Sequence, residues 1–72
     1  MTIELVKILE AAQNYKERSD TWFDCYQESN DDLDWQTSQE YCAKCNGLLE
    51  AYAILTGRKL YQFEIKEELT MC

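Results

Sequence analysis

The chain has no histidine and no proline, and only two glycines among its 72 residues. Without histidine it lacks the side chain that most often serves as general base and metal ligand near neutral pH. The two glycines, Gly47 and Gly57, form no glycine-rich phosphate loop. Bases are scarce as well: seven Lys and Arg stand against fourteen Asp and Glu, a net charge of −7. Nucleic-acid binding needs basic groups that displace counterions, so direct contact with nucleic acid is not expected. The negative cytoplasmic face of a membrane would repel such a chain. No segment approaches the roughly 18 apolar residues of a membrane span. The start, Met1-Thr2-Ile3-Glu4, lacks the basic-then-apolar layout of a signal peptide. Cys72 stands last, whereas prenylation needs a cysteine fourth from the end. These absences lead to the expectation of a cytoplasmic protein with reduced thiols.

Apolar residues make up 46% of the chain, enough for a folded protein and too many for a disordered one. The length allows one domain, residues 1–72. A core of that size is marginal in a monomer, so self-association or a partner is expected.

The apolar period is helical over most of the length. Leu5, Ile8, Leu9, Ala12, Tyr15, Ser19, Trp22, Phe23 and Tyr26 fall on one stripe. Thr2 is placed to cap its start, and Asn30-Asp31-Asp32 ends the segment. Asp32 or Asp34 then caps a second helix, or Thr37-x-x-Glu40 forms a capping box if it begins later. The second stripe is Ser38, Tyr41, Cys45, Leu48, Leu49, Tyr52, Leu55 and Thr56, and Gly57 follows where a left-handed C-cap is expected. Two helices joined by a short polar loop pack antiparallel. In the tail, Tyr61, Phe63 and Ile65 alternate with polar residues, which reads as a short strand; a helical alternative aligns Tyr61, Ile65 and Leu69. A lone strand would pair with its copy or with a partner's sheet edge. The expected fold is therefore mainly α: an antiparallel two-helix hairpin with a short C-terminal strand or third helix, dimerising into a four-helix core.

The negative charge is concentrated. Residues 17–40 hold eight acids, Glu17, Asp20, Asp24, Glu28, Asp31, Asp32, Asp34 and Glu40, against one base, Arg18. The rest of the chain is neutral, with six acids and six bases. Glu17, Asp20, Asp24, Glu28 and Asp31 recur at helical spacing and would share the face opposite the apolar stripe. Like charges one turn apart cost a few tenths of a kcal/mol per pair. Two readings follow: a solvated face that keeps a small protein soluble, or an anion-presenting surface for a basic groove. Spread over roughly 21 Å of helix, these carboxylates give about one charge per 4–5 Å, sparser than the one per ~1.7 Å of duplex DNA. That suits a polyanionic competitor better than a faithful duplex copy. Trp22, Phe23 and Tyr26 are expected inside the hairpin. Trp35, rimmed by Asp32 and Asp34, is either a contact anchor or a lid over the open end of the hairpin.

Cys42-x-x-Cys45 invites a metal or redox reading, and an antiparallel hairpin would bring Cys25 near residues 40–42. The knuckle glycine of a thiolate zinc site is missing, and the motif lies inside a helix rather than at its start, where the dipole would lower a thiol pKa. Buried or half-buried free thiols are the plainer reading, with a zinc module or a Cys25–Cys42 disulfide as lesser alternatives. No register of the acidic loop, residues 29–40, fits a calcium-binding helix–loop–helix pattern. No cleft is implied, so neither an enzyme nor a cofactor is expected.

In size, charge and helicity the chain is similar to the small acidic proteins of phages and mobile elements that block host nucleic-acid-binding machinery, anti-CRISPR proteins among them. That resemblance implies a non-enzymatic inhibitor or adaptor acting on a basic partner protein. The residues that would engage it are Glu17, Asp20, Asp24, Glu28, Asp31, Asp32, Asp34 and Trp35. The alternative is an assembly module pairing through its apolar helix face and C-terminal strand.

Overall fold

The computed structural model describes residues 2–71. Two long helices form an antiparallel hairpin: α1 spans Ile3–Ser29 and α2 spans Asp32–Thr56. A single 3-10 turn, Gln62–Glu64, leads into a short α3, Ile65–Thr70, which lies against α1. The Thr2 hydroxyl accepts from the Leu5 backbone N–H, so the expected cap of α1 is present. The helix runs unbroken through Ser19-Asp20-Thr21. It ends at Asn30, which adopts the left-handed conformation (φ 56°). Asn is one of the few residues with a side chain that enters that region readily.

The cap of α2 is Asp31, one residue earlier than expected. Its carboxylate accepts from the Leu33 N–H at 3.0 Å. The loop is so short that the residue directly after the left-handed turn already stands at the helix entrance. Asp32 and Asp34 therefore lie inside the first turn, and Thr37 is mid-helix with its hydroxyl donating to the Leu33 carbonyl. Gly57 closes α2 with φ 72°, as its position suggested.

The tail forms no strand among the described residues; the helical alternative is the one adopted. Tyr61 and Phe63 stay exposed while Leu60, Ile65 and Glu68 are buried, a spacing that suits a turn and a helix rather than alternation. The reason is hydrogen bonding. A lone strand would leave its backbone unpaired, whereas here the Glu64 N–H donates to the Tyr61 carbonyl and the Glu64 carboxylate accepts the Tyr61 N–H. The Gln62 amide donates to the Asn46 side-chain oxygen at 2.7 Å and lies 3.4 Å from the Cys42 sulfur, which ties the turn to α2.

The core is local. Its buried members are Leu9, Ala12, Cys45, Leu49, Tyr52, Leu60 and Ile65, with Leu5, Ile8, Tyr15, Leu48 and Leu69 packed around them. The tail completes it, as the third wall over the open side of the hairpin. Tyr52 donates to the Glu68 carboxylate at 3.1 Å, and Arg58 grips the same carboxylate through both guanidinium nitrogens at 2.9 and 3.3 Å. This fork fastens α3 to the end of α2. Between Ala12 and Cys45 the only buried residue among those described is Ser38. There the helices touch through serines: each hydroxyl donates to the other residue's carbonyl at 2.9 Å.

Candidate protein-binding surface

The Ser19–Ser38 contact sets the register of the hairpin and so places every candidate residue. Trp22 and Trp35 each lie three residues from it on the loop side, and so at the same level. Beyond that level the hairpin has no apolar filling. Trp22, Phe23, Leu33 and Trp35 are exposed, and only Tyr26 is half-buried, with its ring centroid 6.2 Å from that of Phe23. The expectation that Trp22 and Phe23 pack inside is thus corrected. Their stripe continues the helical period, but α2 presents Ser38 and Asp34 to this part of α1, and the core that the tail completes reaches no further along α1 than Tyr15. Leu55, assigned to the apolar stripe of α2, is also exposed, at 65%.

The acidic residues divide by what they already do. Asp20 is ion-paired with Lys16 at 2.9 Å. Glu17 accepts from the Gln13 amide at 3.1 Å. Asp31 is a cap, and Asp34 is half-buried and accepts from the Ser29 hydroxyl at 2.9 Å. Asp32 and Asp34 also sit at the positive end of the α2 dipole, where acids stabilise a helix by roughly 0.3–1 kcal/mol. Asp24 and Glu28 are different. They occupy the last turns of α1, at the negative end of its dipole, with no base in the last turn. Both are exposed and make no side-chain hydrogen bond or ion pair among the described residues, and the same holds for Asp32. The five-carboxylate row expected on one helix stops at Glu28, because α1 ends at Ser29 and Asp31 is the cap of α2.

The aromatic rings divide in the same way. Lys44 lies 5.6 Å from the Tyr15 centroid and 5.5 Å from that of Tyr41, Arg18 lies 5.9 Å from Tyr41, and Lys59 lies 5.3 Å from Tyr61. These are distances at which a cation is held by a ring face. No Lys or Arg among the described residues caps Trp22, Phe23 or Trp35, since Arg18, the one base in residues 17–40, is already on Tyr41. The acidic end therefore presents exposed ring faces and unpaired carboxylates together. The sequence singled out Trp35 here but missed Trp22 and Phe23, whose exposure depends on where the third wall ends.

The cysteines do not converge as expected. Cys25 lies six residues from Ser19 toward the loop, and Cys42 lies four residues beyond Ser38 in the other direction. That separates them by about 15 Å along the hairpin, too far for a shared metal or a disulfide. The stagger of the helices puts Cys25 level with the start of α2. Cys25 is exposed, Cys42 half-buried and Cys45 buried, all three as free thiols. Burial pushes the Cys45 thiol above its ordinary pKa, with a further push from neighbouring Cys42. Among the described residues no group of three metal-ligating side chains could hold a metal ion. Cys72 lies outside those residues. No helix among them is long and apolar enough to cross a membrane.

No family model, curated protein or solved structure matches this chain. The functional reading therefore rests on the surface itself.

Proposed function

We propose that this chain is a non-enzymatic, cytoplasmic inhibitor or adaptor whose acidic hairpin end engages the basic, nucleic-acid-binding surface of a partner protein. It would act as an anti-CRISPR-like or nucleic-acid-mimicking competitor. The observation that carries this reading is the coincidence of unpaired Asp24, Glu28 and Asp32 with the uncapped rings of Trp22, Phe23 and Trp35, in the half of the hairpin that contributes nothing to the core. Carboxylates that stabilised the fold would be paired or placed at a helix start; Asp24 and Glu28 are neither. Arginine suits such a surface. Its guanidinium binds a carboxylate through two hydrogen bonds and stacks on an aromatic face, and nucleic-acid-binding surfaces are rich in it. The mechanism is competition by occupancy, with the concentrated charge raising the rate of encounter.

The test is capture of partners on tagged protein from nuclease-treated lysate, followed by binding of the purified partner with and without nucleic acid. A basic nucleic-acid-binding protein should be released at moderate salt and displaced by nucleic acid. The Asp24→Lys/Glu28→Lys double variant should lose at least about 100-fold in affinity, since close interfacial charge pairs are worth several kcal/mol. Unchanged affinity in that variant, or no competition by nucleic acid, ends the proposal.

A further inference from the structure

The neutral end of the molecule carries a surface of another kind. An open groove of about 690 Å³ runs between α2 and the segment that returns from it, walled by Leu49, Ala53, Leu60 and Phe63. Phe63 is 77% exposed and stacks on Tyr61, with centroids 5.8 Å apart and planes 5° apart. Ile54, one turn beyond Glu50, is 78% exposed. Two opposite charges line the groove, Glu50 on α2 and Lys59 on the returning segment. Neither forms an ion pair among the described residues; the Lys59 ammonium rests on Tyr61.

We infer that this groove is the docking face for a second copy of the same chain. The charges choose the occupant. A twofold interface joins one patch to itself, so the patch must be self-complementary. With Glu50 and Lys59 on opposite walls, a twofold operation sets each Glu50 against Lys59 of the other copy, while the two Phe63 rings fill the apolar floor. A strongly acidic or strongly basic partner would satisfy one of these charges and oppose the other. The overall charge distribution agrees. All of the net −7 lies in residues 17–40, while the groove is built from residues 46–63 of a molecule 41 Å long. Joining the neutral ends leaves the two acidic ends pointing apart, beyond the screening length of about 8 Å at physiological salt. Pairing along the Leu5–Tyr26 stripe, as in a four-helix core, would instead bring the acidic segments of two copies together. The inference does not depend on the acidic end having a partner.

The experiment is sedimentation equilibrium of the full chain under reductant, which prevents exposed Cys25 from cross-linking copies, from about 10 to about 500 μM, the range of weak specific association. The wild type should rise from the 8.5 kDa chain mass toward twice that value. Phe63→Asp should weaken association at least about tenfold, with an unchanged circular-dichroism spectrum because the residue is exposed. Glu50→Lys and Lys59→Glu should each weaken it about tenfold. An equimolar mixture of those two variants should recover it, because one copy then offers two lysines and the other two glutamates. Recovery on mixing is a result that loss of stability within one chain cannot produce. A wild type that stays at the chain mass throughout overturns the inference. So does a dimer indifferent to Phe63→Asp, which would place the contact elsewhere, and so does a mixture that fails to recover.

Discussion

The two ends of this molecule are built from the same helices but obey different rules. At the neutral end, α1, α2 and the returning tail form three walls around Leu9, Cys45, Leu49, Tyr52 and Ile65, and Tyr15, Tyr41 and Tyr61 carry lysine or arginine over their faces. At the acidic end there are two helices and no third wall among the described residues, so the same hydrophobic period leaves Trp22 37% and Phe23 40% exposed. Two helices alone enclose a small side chain such as Ser38; burying a large apolar one takes a third element. Apolar residues at helical spacing mark a face, and chain topology decides whether that face becomes core or surface.

Substitutions at the two ends should differ in their cost. The largest effect belongs to the core: Leu9→Ala and Ile65→Ala should each cost about 2–5 kcal/mol in urea unfolding, because both side chains are fully buried. Trp22→Ala should cost less than either, about 1–2 kcal/mol, although it removes more atoms, because the ring is 37% exposed. Comparable losses at Trp22 and Ile65 would mean that the acidic end has a core after all. Next is the serine contact. Ser38→Leu forces a large side chain between helices that touch through reciprocal hydroxyl–carbonyl bonds, and it should cost about 1–3 kcal/mol. A stabilised variant would show that the helices have room to part there.

The fastening of the tail comes third. Arg58→Ala leaves the buried Glu68 carboxylate held by Tyr52 but without its guanidinium fork, and should cost about 1–2 kcal/mol. Amide exchange in residues 62–70 should quicken more than in α1. Uniform quickening would mean that α3 is not a separately fastened piece.

The thiols give a smaller, chemical contrast. Cys25 should react with a disulfide reagent at neutral pH well before Cys45, which is buried and has its pKa raised. The sign of the pH effect follows. The folded state holds the Cys45 proton more tightly than the unfolded state does. Its contribution is thus fully present below the ordinary thiol range and is lost as pH rises through the raised value. Stability of the Cys45→Ala variant should show a flatter alkaline limb than the wild type, and equal slopes would remove Cys45 as the cause. The smallest effect sharpens the functional side. Asp24→Lys/Glu28→Lys should raise stability by a few tenths of a kcal/mol, since it removes acids from the negative end of α1. A marked loss would mean that these carboxylates serve the fold.

Both long helices, their antiparallel packing, the Thr2 and Gly57 caps, the serine positions on the two stripes and the segregation of charge into residues 17–40 were legible in the order of the amino acids. Each of these depends on neighbours three or four residues away or on a short loop, so a local pattern suffices. Which half of the stripe is buried was settled by the folded arrangement, since Leu60, Ile65 and Leu69 return from far along the chain to cover one end alone. It also decided that the tail turns rather than extends, because no strand edge among the described residues is there to receive it. It separated Cys25 from Cys42 through the stagger of the helices, which loop length alone does not set. And it sorted the acids, turning Asp31 into a cap and Asp20 into a lysine's partner while leaving Asp24 and Glu28 unpaired, because a carboxylate's role follows from the groups that surround it in space.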